Sequence, residues 1–348
     1  VKISHPHSPV RIFGFSVTAT ILTFIAIAYF LGPGALVVAL ILMAVELAFS
    51  FDNAIINAKI LAHMSPLWQK LFLTVGIVIA IFGMRVLFPI VIVMLTADLG
   101  WGSVVDLALN HPKEYAEHLE EAHPAISSFG GGFLLMLALH FFMDDNRETD
   151  WIKRIERPLK RFSSRWLPAV VSVVVMGIFA ALPMNHHPRE TLQAGILGIL
   201  VYLGINLFTE WVGKIAGGDA AASGKVATRT GWAAFLTFIY LEILDASFSF
   251  DGVIGAFAIT NDVVLIAAGL GIGAIWVRSL TVYMVRTGTL DSYKFLEHGA
   301  HYAVFVLAAT MLLSLIVSVP EVVTGVLGLG LIGASIVASR QARKTEQA

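Results

Sequence analysis

The 348-residue chain contains no cysteine, which excludes disulfides, thiolate metal sites, iron–sulfur clusters and cysteine nucleophiles together. Charge is scarce too: 14% of residues are Asp, Glu, Lys or Arg, against roughly 25% in a soluble globular protein. Neither sign dominates, with 23 Lys+Arg against 24 Asp+Glu, so no basic excess points to nucleic acid. No Gly-x-x-x-x-Gly-Lys-Ser/Thr loop is present, which argues against ATP-driven pumping. Gly328-x-Gly330-x-x-Gly333 matches a dinucleotide fingerprint only as a string; it lies in an apolar run with no preceding strand and reads as close helix packing.

What the chain has in quantity is apolar sequence. Hydrophobic residues make up 57%, and mean hydropathy is +0.81. The apolar blocks are long enough to cross a hydrocarbon core as helices, so the expected fold is an all-α polytopic membrane protein in a lipid bilayer. About ten spans are expected, with eight or nine as the alternative: Phe13 to Leu31, Ala35 to Ala58, Leu71 to Ala97, Ala125 to Met143, Trp166 to Pro183, Leu192 to Val212, Trp232 to Ala258, Val263 to Val285, Tyr302 to Val319 and Val322 to Ser339. Gly32-Pro33-Gly34, Asn261-Asp262 and Pro320-Glu321 separate neighbouring spans with turn formers. The first apolar run is too long for a signal-peptide core and lacks a small-x-small cleavage site, so it reads as a retained helix.

Basic residues orient the spans, because short cytoplasmic loops collect them. Lys2 and Arg11, Lys59 and Lys70, seven residues between Arg147 and Arg165, then Lys214, Lys225 and Arg229, Arg286 and Lys294, and Arg340, Arg343 and Lys344 fall on alternate segments. Only Lys113 and Arg189 fall on the others. Both termini are therefore expected in the cytoplasm, and the membrane is expected to be a bacterial inner or plasma membrane. The segment Asp98 to Pro124, with His111, Glu114, Glu117, His118, Glu120, Glu121 and His123, is expected as an outside loop that forms a solvated acidic amphipathic turn, with collection or release of divalent ions as the alternative.

An internal repeat carries the polar residues. Phe49-Ser50-Phe51-Asp52 recurs as Phe248-Ser249-Phe250-Asp251, aligning Glu46 with Asp245 and Asn53 with Gly252. Arg85 and Arg278 then lie in the spans that follow. Span two pairs with span seven, an odd shift, so the copies cross the membrane in opposite directions. This is the pattern of a five-plus-five inverted-topology repeat with a midplane site. Residues 1–165 would hold spans one to four and the basic loop, and 166–348 the remaining spans.

A charge at the bilayer centre costs at least ~2.5–3.5 kcal/mol on insertion scales, so intramembrane charges mark function. Glu46, Asp52, Glu242, Asp245 and Asp251 occupy the two matched helices against only Arg85 and Arg278, which leaves an acidic excess for a metal ion or protons to complete. Glu46, Ser50, Asn53 and Asn57 form one helical stripe; Glu242, Asp245, Ser249 and Gly252 form its counterpart. Asp52 and Asp251 fall roughly 120° from these stripes. Either they face the arginines, or each helix breaks near Phe-Ser-Phe-Asp and frees backbone carbonyls. The simplest role for Arg85 and Arg278 is to neutralise Asp52 and Asp251. The oxygen-only ligand set suits Mg²⁺, Ca²⁺ or Mn²⁺.

At these residues the sequence resembles the TerC family of integral membrane proteins, in the branch labelled DUF475. The matching pieces are Glu46 to Ala54, Asp245 to Asp251 with Ala256 to Thr260, the Val-Arg-Ser-Leu around Arg278, and Pro320 to Ser339. The resemblance implies manganese export, a link to tellurite-resistance gene clusters, and metal contacts at Glu46, Asp52, Asn53, Asp245 and Asp251. Glu242, Gly252, the acidic loop and the basic loop depart from the family's common core. The expected activity is secondary transport of a divalent cation, most directly Mn²⁺, with no catalytic residues and no resident cofactor. Two alternatives stand beside it. One is a membrane scaffold of a tellurite or metal stress-response complex, which it would hold as a cytoplasmic protein partner through the basic residues 144–166. The other is an intramembrane aspartyl protease built on Asp52 and Asp251, against which stands the lack of a Gly-x-Gly-Asp sequence.

Overall fold

The computed structural model describes residues 9–145, 147–216 and 231–347. Lys2, Lys225 and Arg229 lie outside the described residues, as do the side chains of Arg11, Lys214 and Asp251. Every element among the described residues is helical. In chain order these are α1 (Pro9–Phe30), α2 (Pro33–Phe49), α3 (Phe51–Leu61), α4 (Pro66–Val78), a π-helical segment (Ile79–Leu87), α5 (Phe88–Thr96), α6 (Trp101–Asn110), α7 (Pro112–Phe142) and α8 (Lys153–Arg161). Then follow α9 (Leu167–Ala181), α10 (Pro188–Ala216), α11 (Gly231–Ile259), α12 (Val263–Thr287), the single turn α13 (Thr289–Ser292), α14 (Leu296–Leu313) and α15 (Glu321–Gln347).

The chain is thus an all-α polytopic membrane protein. Eight helices among the described residues are long and apolar enough to cross a membrane, and α2 with α3 adds a ninth as one bent span. The expected span at Trp166 to Pro183 becomes the 15-residue α9, bounded by Pro168 and Pro183. At 1.5 Å per residue it reaches only about 22 Å, short of a hydrocarbon core of about 30 Å. Full-length spans among the described residues thus number eight or nine, the lower of the expected counts. The segment Asp98 to Pro124 is also corrected: α6 and the first turns of α7 replace the expected loop. Tyr115, Leu119 and Ala122, spaced four and three apart, are buried, while Glu114, Glu117, Glu120 and Glu121 face outward, so this acidic stretch is an amphipathic helix.

Turn chemistry sets several boundaries. Gly32 takes φ 87 ahead of Pro33 at the start of α2, a conformation that favours glycine. Asp262 caps α12 by accepting from the Leu265 N–H at 3.0 Å, and Gly288 closes that helix in the left-handed region.

The described residues form two compact units, each best taken by itself. One comprises Val1–His123 and Leu241–Thr289; its centre is α12, which packs on α1, α2, α3, α4 and the π-helical segment. Gly269 and Gly273 permit the close approach to α2. A Cβ on Gly273 would stand 2.5 Å from the Glu46 Cβ, and one on Gly269 2.6 Å from the Leu42 Cβ. This is the small-residue packing that membrane helices use in place of a hydrophobic driving force. The other unit comprises Pro124–Tyr240 and Leu290–Ala348, where α14 packs on α15 and α9 on α10. There Gly132 lies against the Gly195 backbone, and a Cβ on it would meet the Gly195 carbonyl oxygen at 2.6 Å.

Candidate functional site

The polar residues singled out by the repeat gather inside the first unit. Its α2 and α3 meet at Ser50 with a bend of 52°. Ser50 is buried and donates its hydroxyl to Glu46 Oε1 at 3.0 Å, while its N–H still reaches the Glu46 carbonyl at 3.0 Å. Past the bend, the Asn53 N–H donates to Asp52 Oδ1 at 2.9 Å. Asp52 therefore occupies the first turn of α3, where free amides and the positive end of the helix dipole favour a carboxylate. The equivalent string in α11 continues as uninterrupted helix. A break thus occurs in the first copy and not in the second.

Arg85 pairs with Glu46 through Nη2 and donates Nη1 to the Ala80 carbonyl at 2.5 Å. Its position follows from the π-helical segment, whose wider turns shift the residues after it around the helix axis. Arg278 makes a two-pronged pair with Glu242, at 3.0 Å to Oε1 and 2.9 Å to Oε2. Its Nη2 also reaches Asp245 Oδ2 at 2.8 Å, and its Nη1 donates to the Phe72 carbonyl at 3.1 Å. The guanidinium lies 4.3 Å from the centroid of the Phe72 ring, in the space left by Gly76, where any Cβ would collide with it. Asp245 Oδ1 then accepts from Asn53 Nδ2 at 2.6 Å. Asp245 thereby ties the second acidic helix to both α12 and α3.

The expectation that the arginines neutralise Asp52 and Asp251 is corrected in its first half. Arg85 takes Glu46, and Arg278 takes Glu242 and Asp245. The physical reason is the stripe: Glu46 and Asp245 point from their helices toward the following spans, while Asp52 is turned away and held by an α3 amide. The Asp251 side chain lies outside the described residues.

Glu46, Ser50, Asp52, Asn53, Asn57, Arg85, Glu242, Asp245, Ser249 and Arg278 are all buried. Four carboxylates thus face two guanidiniums among the described side chains. Three oxygens in the same cluster of helices, Asn53 Oδ1, Asn57 Oδ1 and Ser249 Oγ, are buried with no hydrogen-bond partner. A buried polar atom without a partner costs roughly 1–3 kcal/mol, so such atoms call for an explanation. Asn57 lies on the stripe that the helical period marked out, whereas the π-helical turn around Arg85 was not marked, since an apolar run does not reveal it. Among the described residues, no group of three His, Cys, Asp or Glu side chains is arranged to hold a metal ion. Of the four buried carboxylates, Glu46, Glu242 and Asp245 are paired with arginine.

Residues 51–346 match the family model described as "Protein of unknown function (DUF475)", and the chain belongs to that family. Comparison with curated proteins and with solved structures returns no match.

Proposed function

We propose that this DUF475 member is a secondary transporter that moves a divalent metal cation outward across the membrane, with manganese as its main substrate. The observation that carries the reading is the buried excess of acid. Four carboxylates against two guanidiniums, beside three unpartnered oxygens, form an interior whose charge and hydrogen bonding are completed by a hard cation or by protons. The resemblance to TerC proteins in the two Phe-Ser-Phe-Asp helices supports manganese and export in particular. In this reading Glu46, Asp52, Asn53, Glu242, Asp245 and Asp251 form the ion path, and Ser50 and Ser249 line it.

The pairing pattern supplies a mechanism. An entering cation competes with Arg85 and Arg278 for the oxygens of Glu46, Glu242 and Asp245. Protons are the natural counter-ions, because surplus carboxylates bind either species. The two motif helices, as inverted copies, would alternate access from the two faces of the membrane. The test is Mn²⁺ flux in proteoliposomes of the full chain. Asp52→Asn and Asp245→Asn are each expected to lower flux at least tenfold, and wild-type flux in both would remove the reading.

A further inference from the structure

The second unit carries a different charged feature, unrelated to the ion path. α8 and the residues leading from it into α9 hold six basic residues, Lys153, Arg154, Arg157, Lys160, Arg161 and Arg165, and one acid, Glu156. That acid is removed from the surface. Glu156 is buried and accepts from the Trp151 and Ile152 N–H groups at 3.2 and 3.1 Å, with Arg147 at 3.0 Å and His298 at 3.0 Å. Lys160 turns to the same side, donating to the Arg147 carbonyl and lying 3.7 Å from Asp150. These contacts clamp one face of α8 to the unit and fix which face is left outward.

The outward face is cationic and apolar at once. Arg154, Arg157 and Arg161, spaced three and four apart, form a row on it. Lys153, Arg154 and Arg161 have no partner among the described residues, and Arg157 makes only a 3.7 Å approach to Asp150. Ile155 and Leu159 lie beside that row, and Phe162 and Trp166 follow the end of the helix; Ile155, Phe162 and Trp166 are 47%, 66% and 55% exposed. Trp166 immediately precedes the apolar helix α9. Arginines beside large apolar side chains, next to the start of an apolar helix, have the chemistry of the lipid-headgroup level.

We propose that this face of α8 is a docking surface for anionic phospholipid headgroups of the leaflet it borders, with Arg154, Arg157 and Arg161 on the phosphates and Ile155, Phe162 and Trp166 seated among the acyl chains. Charge complementarity selects the occupant. A zwitterionic headgroup offers no net attraction to a row of arginines, whereas an anionic leaflet attracts each of them. The apolar side chains favour a lipid over a soluble acidic protein, since they need a hydrocarbon neighbour.

The experiment uses the full chain in detergent, titrated separately with phosphatidylglycerol and phosphatidylcholine and read by native mass spectrometry. Wild type is expected to hold phosphatidylglycerol about tenfold or more tightly than phosphatidylcholine. The variant R154Q/R157Q/R161Q is expected to lose that preference while binding phosphatidylcholine as before. Equal affinity of wild type for the two lipids overturns the proposal, as does an unchanged preference in the variant. Should the variant fail to fold, a salt series on wild type decides: the preference must shrink as salt screens the arginines, and a salt-independent preference overturns it. Displacement of phosphatidylglycerol by inorganic phosphate alone would assign a free-anion site instead. Capture of an acidic soluble protein without any lipid preference would assign the surface to that partner.

Discussion

Asn53 and Asp245, 192 residues apart in the chain, meet through a 2.6 Å hydrogen bond in which the amide donates to the carboxylate. The same carboxylate receives Arg278 on its other oxygen at 2.8 Å. One side chain therefore joins the bent first motif, the continuous second motif and the central helix α12. The partners are buried, so water cannot replace either bond.

Asn53→Ala is expected to leave Asp245 Oδ1 without its donor and to lower stability by about 0.5–2 kcal/mol, within the range for interhelical hydrogen bonds in membranes and buried polar groups. Unfolding of the detergent-solubilised chain measures this. Asn53→Asp should be worse than Asn53→Ala, because it sets a second acid against Asp245; the reverse order would show that the contact is not made.

Arg278→Met removes the guanidinium from two buried acids at once, and a loss of about 3–5 kcal/mol is expected. Adding Glu242→Gln to it should recover about 1 kcal/mol or more, since one stranded charge is removed. Independent, additive effects in this double-mutant cycle would contradict the two-pronged pair.

The polar faces of these helices were legible in the sequence, whereas the break in the first copy alone and the partners were not. A stripe such as Glu46, Ser50, Asn53 and Asn57 is fixed by helical period, and Gly32-Pro33 and Asp262 announce their turns through local backbone chemistry. Membership in a pair is a long-range matter. Nothing near Arg85 signals that the preceding residues widen into a π-helical turn, and that turn decides which acid the guanidinium meets. Low overall charge likewise identified the membrane environment, and the acids of Asp98 to Pro124 marked an amphipathic stretch, whereas the length of helix that Tyr115, Leu119 and Ala122 anchor there was not legible from its polar residues.

Gly273→Val tests the close approach of α12 to α2. A Cβ there would lie 2.5 Å from the Glu46 Cβ and 3.1 Å from the Met43 carbonyl, so the helices must separate, at an expected cost of about 1–3 kcal/mol. Gly330→Ala is the control, since nothing lies within 4 Å of its Cβ position. It should be neutral or stabilise by a few tenths of a kcal/mol through helix propensity.

Acid should loosen α8. Burial by itself would raise the Glu156 pKa, but the adjoining His298 imidazole, the Ile152 N–H and the Arg147 charge together hold it below the ordinary 4.5. A carboxyl group with a depressed folded-state pKa adds stability that is present above 4.5 and is lost as pH falls through the folded value. Hydrogen exchange in residues 147–161 should therefore quicken below pH 4.5 once corrected for intrinsic rates. Glu156→Gln should remove that acid-dependent step, and a step that persisted in the variant would assign it to another group.

The four residues Phe-Ser-Phe-Asp occur twice, and their backbone is bent at Ser50 in one place and continuous helix through Ser249 in the other. A string that takes two shapes in one molecule does not determine its own shape; its surroundings do. The difference between the two shapes is accordingly small enough for neighbouring contacts to override. An exchange of roles between the helices would require no backbone geometry foreign to the chain, because each form is already present as a template for the other.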